Sequence, residues 1–138
     1  MPVKTIDQIA RETQCDVLWI RFLDFHRRDV RVDGPPDKSE WDTPGRRSVL
    51  EALDANGIAW IPCWPWLEDG CLVYSYEGDV YVDVLPAKDN PDFQKLSALL
   101  KKDQQGTPAI DGVWLCVFAL EDAMKYAYRD EPGWNDNP

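Results

Sequence analysis

The stretch Cys71-Leu-Val-Tyr-Ser-Tyr-Glu-Gly-Asp-Val-Tyr-Val-Asp-Val-Leu85 sets two alternating runs on either side of Glu77-Gly78. A two-residue loop with glycine at a central position is a hairpin signal, because the turns that match strand twist need positive φ. Such a loop places Tyr76 opposite Asp79, Tyr74 opposite Tyr81 and Leu72 opposite Asp83. On the other face it places Ser75 opposite Val80, Val73 opposite Val82 and Cys71 opposite Val84. The second set is an apolar face for a core; the first is a face of tyrosines and aspartates. A slip of one residue would exchange the two, so this contrast sets the register.

Upstream of the hairpin, Asp16 to Phe25 is β-branched, aromatic or aliphatic at nearly every position and predicts an interior strand covered on both faces. Before it, Thr5 and Gln8 have capping-box spacing for a short helix with Ile6, Ile9 and Ala10 on its apolar side. Thr43, Pro44 and Asn56-Gly57 mark the start and stop of a second helix, with Val49, Leu50 and Leu53 as its buried stripe. Ile58 to Ile61 then predicts a strand ended by Pro62. Downstream, Asn90-Pro91 opens a third helix carrying Phe93, Leu96, Leu99 and Leu100. Val113 to Phe118 is a continuous apolar run, the pattern of a central strand, and Glu121 to Tyr128 predicts a last helix. This order implies an α+β fold: a mainly antiparallel sheet of about 4–6 strands, with about four helices packed mostly on one face. One domain over residues 1–138 is expected, with 129–138 as a loose tail.

The chain has 138 residues, with 15 Lys+Arg against 25 Asp+Glu and a net charge of -10 at pH 7. Nucleic-acid binding needs clustered cations, and anionic membranes likewise attract basic surfaces; this charge argues against both. No apolar run reaches membrane-spanning length, and the first residues lack a signal-peptide pattern, so the expected location is cytoplasmic. Cys15, Cys63, Cys71 and Cys116 include no Cys-x-x-Cys pair, which argues against structural zinc and favours reduced thiols used as small core residues. No cofactor or metal is expected.

Catalytic signals are weak. His26 is the only imidazole and sits beside Arg27 and Arg28, so a surface role is the simpler account and no catalytic residue is assigned. Asp79 and Asp83 share a face but stand roughly 13 Å apart along a strand, too far for a carboxylate pair. Phosphate-loop, nucleophile-elbow and zinc-protease motifs are missing. Arg27, Arg28 and Arg31 form a candidate anion pocket, against which ion pairing with the interleaved Asp24, Asp29 and Asp33 is favoured.

The charge is unevenly placed. Residues 1–34 hold six basic and six acidic side chains, so the acidic excess falls entirely in residues 35–138. There, Tyr74, Tyr76, Asp79, Tyr81 and Asp83 share the expected hairpin face, preceded by Trp64, Trp66, Glu68 and Asp69. Trp and Tyr bury large area at little rotamer cost, and acids steer basic partners. The preferred expectation is therefore a protein-binding module that docks or neutralises a basic protein, a toxin domain for example. In size and charge the chain is similar to bacterial immunity proteins, although no motif carries that likeness. Two alternatives stand beside it: a small enzyme or ligand-binding protein with a pocket lined by Trp60–Trp66, and a DNA-mimicking protein of a mobile element.

Overall fold

Ile6, Ile9 and Ala10 recur at helical spacing and form the buried side of α1 (Ile6–Thr13). The computed structural model describes residues 3–22, 38–66 and 76–131. After α1 come β1 (Val17–Phe22), α2 (Lys38–Trp41), α3 (Pro44–Ala55), β2 (Trp60–Pro62) and β3 (Val80–Val82). Then follow α4 (Pro91–Leu100), β4 (Val113–Phe118), α5 (Leu120–Met124) and a 3-10 turn (Ala127–Asp130). The fold is α+β, as expected, with one four-stranded antiparallel sheet in the order β2-β3-β1-β4.

Helix ends follow their local chemistry. Thr43 accepts a hydrogen bond from the Arg46 backbone N–H at 3.2 Å, and Pro44 opens α3. Gly57 ends that helix in the left-handed region at φ 67°. Asn90 accepts from the N–H groups of Asp92 (2.9 Å) and Phe93 (3.2 Å) at the start of α4. These side chains satisfy donors that a helix start leaves unpaired. The capping box expected at Thr5 does not form, since its side chain makes no cap hydrogen bond. Instead the Ile6 N–H donates to the Trp64 carbonyl (2.8 Å) and the Trp64 N–H to the Lys4 carbonyl (2.9 Å), which stitches the α1 entry to the segment after β2.

The hairpin expectation is overturned. Tyr81 pairs with Trp19 on one side and Ile61 on the other, so both edges of β3 are taken by β1 and β2. The positions assigned to Val73, Tyr74 and Ser75 opposite β3 are thus filled, and residues 71–75 lie outside the described residues. Alternation specifies faces but not which strand pairs with which, and the non-local partners won.

Two further expectations change. Among the described residues Val113–Phe118 is an edge strand rather than a central one, bonded only to β1, through six register pairs from Val17↔Phe118 to Phe22↔Val113. Helices cover both faces of the sheet instead of mostly one. Leu18, Ile20, Phe22, Val80, Val82 and Val113 face Val49 and Leu53 of α3 and Leu96 and Leu100 of α4. Val17 and Trp19 turn to the opposite face, where they meet Ile6, Ile9 and Ala10 of α1, Cys63, and Ala123 of α5. At roughly 25 cal/mol per Å² of apolar surface buried, two such layers are the main source of stability.

Candidate functional site

Among the described residues the expected recognition face is split. Asp79 is buried at 1% exposure, its Oδ2 paired with Arg21 Nε at 3.3 Å. Tyr76 is drawn away from Tyr81 into a cage around Arg46. There Arg46 Nε donates to the Gly78 carbonyl (2.9 Å), Nη1 to Asp42 Oδ1 (3.1 Å) and Nη2 to the Tyr76 hydroxyl (3.2 Å). The guanidinium lies 4.9 Å from the Trp41 ring centre, and the Tyr76 hydroxyl donates onward to the Asp79 carbonyl. Burial pushes the Tyr76 phenol above its ordinary range, with the Arg46 hydrogen bond opposing. Arg46 is 7% exposed, and its charge is matched by Asp42, so this cage is structural.

Of the expected face, Tyr81 and Asp83 stay together, the Tyr81 hydroxyl donating to Asp83 Oδ1 at 3.1 Å. Burial, then the Asp83 carboxylate, pushes the Tyr81 phenol up to about 12. Trp64 is tied to the α1 entry through its backbone N–H and carbonyl. Tyr74, Glu68, Asp69, Arg27, Arg28, Arg31 and His26 lie outside the described residues.

Trp66 lines a recess. Its ring stands edge-on to Tyr126 at 5.4 Å and tilted against Phe118 at 6.4 Å. With Asp122 and Lys125 these rings line an open recess of about 260 Å³. Arg129 lies over the Tyr126 ring at 4.4 Å and, through Nη1, reaches Asp7 Oδ2 at 3.4 Å. Arg11 extends the cluster, donating to Asp7 (2.8 Å), to the Ala123 carbonyl (3.0 Å) and through two nitrogens to Asp130 (2.8 Å each). The hydrogen bonds from Arg11 hold Asp130 below the usual carboxylate range. Residues 129–131 are therefore not part of a loose tail; 132–138 lie outside the described residues.

Beside the recess runs β4, which among the described residues is an open edge of the sheet. The far edge, β2, is blunted: it has three residues, one of them Pro62, which lacks an N–H. β4 has six residues, Val-Trp-Leu-Cys-Val-Phe, with neither charge nor proline. Trp114 (44% exposed) and Val117 (55%) stand out from it on opposite faces, and Met124 (46%) and Tyr128 (41%) follow in α5 and the 3-10 turn. Only Ile61 and Leu85 join these four as exposed large apolar residues among those described. Acids border the stretch: Asp111 before β4, then Glu121, Asp122, Asp130 and Glu131, all solvent-exposed.

The chemistry available elsewhere is limited. Burial, with Asp79 adding to it, pushes the Cys63 thiol well above its ordinary range, which suits a core residue rather than a nucleophile. Cys15, Cys63 and Cys116 are free thiols. Among the described residues no group of three or more His, Cys, Asp or Glu converges to hold a metal. A wider hollow of about 690 Å³ over α4 is lined by Lys88, Lys101 and Lys102, surface side chains with no buried polar group aimed into it.

Comparison with protein-family models, curated proteins and solved structures gives no match. Function therefore rests on the geometry. The sequence reading missed Trp114, Val117, Met124, Phe118 and Tyr126. A run apolar at every position signals burial on both faces, and nothing local distinguishes a central strand from one whose outer neighbour is missing.

Proposed function

We propose that this chain is an acidic protein-binding module that docks a basic protein partner, in the manner of an immunity or inhibitor protein, through the surface from Trp114 to Tyr128. The carrying observation is the concentration of exposed large apolar side chains there, bordered by Asp111, Glu121, Asp122 and Glu131. Buried aromatic anchors with a charged rim are the usual anatomy of a protein interface. The net charge of -10 supplies long-range attraction for a basic partner and raises its association rate. The recess beside this surface, about 260 Å³, is smaller than the roughly 300–1,000 Å³ of ordinary ligand pockets, and it supplies an open aromatic contact next to the strand.

The test uses the purified chain as bait in extracts of its source cells, beside a Trp114→Ser/Met124→Ser variant and a Glu121→Lys/Asp122→Lys variant. The expected result is a basic protein held by the parent chain, lost with the first variant, and released from the parent as salt rises. A partner retained equally by all three chains would place the interface elsewhere and sink the proposal.

A further inference from the structure

Building on that docking role, we infer that the partner binds by strand addition: an extended basic segment pairs along β4 and becomes the fifth strand of the sheet. Edge strands present a row of unpaired N–H and C=O groups, and proteins ordinarily blunt them with brevity, proline or charge. β2 has the first two of these protections, and β4 has none of the three. Six residues of β4 extend roughly 20 Å, long enough for an added strand to form several main-chain hydrogen bonds.

The side chains suit that occupant. Alternate residues of an added strand point to opposite faces, and β4 offers an exposed apolar contact on each, Trp114 on one and Val117 on the other. Trp114 stands opposite Arg21 in the β1 register, so it is seated on the sheet rather than on a loop. Asp111 flanks the strand at its start and Glu121 follows its end, giving a carboxylate near each end for lysine or arginine side chains, while the neighbouring Asp122 pairs with Lys125 at 3.1 Å. Charge also discriminates between occupants. A second copy would bring another net charge of -10 to the same edge, and that repulsion opposes self-pairing. A basic segment gains where the second copy loses.

The probe is an acetylated, amidated peptide of alternating lysine and valine, long enough to span β4, used with the intact chain. Its control is the same peptide with every backbone amide N-methylated, which keeps charge and side chains but removes the donors. The unmodified peptide is expected to bind and to slow amide exchange across Val113–Phe118. Loss of its main-chain hydrogen bonds should weaken the control by about tenfold or more. Val117→Lys, a change at an exposed position, should fold normally and weaken the unmodified peptide to a similar extent. Equal binding of both peptides, without protection of β4, would overturn strand addition while leaving a salt-sensitive acidic docking surface intact. Binding of neither peptide, in a chain that still holds its cellular basic partner, would overturn strand addition alone.

Discussion

The two faces of the sheet are built on different principles. The face under α3 and α4 is apolar through its clustered set, from Leu18 and Phe22 to Leu96 and Leu100, with buried Arg46 at its margin over the Phe22 ring. The face under α1 and α5 mixes Ile6, Val17 and Trp19 with buried Asp7, Arg11 and Asp79. Two of its indole N–H groups, on Trp19 and Trp66, are buried with no hydrogen-bond partner among the described residues. Dispersion and water exclusion suffice on the first face. On the second, each buried charge is tolerated only while its partner stays in place, because desolvation is costly for an unpaired ion. The recess and the open edge both adjoin this second, conditionally stable layer.

The largest effect should come from the apolar face. Phe22→Ala leaves a cavity under both helices and should lower stability by about 4 kcal/mol, read from the urea midpoint at unchanged slope. Asp7→Ala should cost less, about 2 kcal/mol, since it removes the buried carboxylate shared by Arg11 and Arg129 and leaves Arg11 only Asp130 as counter-charge. The two variants should differ in kind as well. Asp7→Ala should speed amide exchange in the Ala127–Asp130 turn before global unfolding, whereas Phe22→Ala should not. If exchange in that turn is unchanged in Asp7→Ala, the two faces are not distinct in this sense.

Next in size is the response to pH, which at the acid end should fall on the second face alone and at the alkaline end also reaches the Tyr76 phenol in the Arg46 cage. Cys63 and Tyr81 hold their protons more tightly when folded than when unfolded. Their contribution is complete below the ordinary thiol pKa and fades as pH climbs past about 8.5 and on through 10. Asp130 has the opposite sign: its depressed pKa contributes stability above the ordinary carboxylate value and loses it as pH falls below about 4. A pH series of amide exchange should loosen α1 and the 3-10 turn at the acid end while Val49–Leu53 stays protected. Simultaneous loss on both faces would count against the division. The smallest stability effect belongs to Trp114→Ser, within about 0.5 kcal/mol of the parent, although it should remove partner binding. A large shift in melting temperature would mean that Trp114 is core.

Local chemistry was readable where a few adjacent residues decide it. Thr43-Pro44, Asn90-Pro91 and Asn56-Gly57 mark helix ends that the structure reproduces. The interior strand at Val17–Phe22 was legible from its β-branched and aromatic run. Pairing was not. Glu77-Gly78 looks like a hairpin turn because Gly78 does adopt positive φ, yet the neighbours of β3 come from residues 18–20 and 60–62. The same non-local pairing placed Asp79 beside Arg21 and removed it from the expected recognition face. Trp66 was identified from sequence as a binding residue; its companions Phe118 and Tyr126, more than fifty positions away, carried no local mark.

The cluster joining Arg11 to Asp130 has a consequence for the order of synthesis. Its partners are separated by 119 positions, so α1 leaves the ribosome long before Asp130 or the Ala123 carbonyl exists. Until then Arg11 and Asp7 have only each other, and the layer that buries them cannot close. The first helix made is thus among the last to be locked, and that final step waits on the residues bordering the proposed interface.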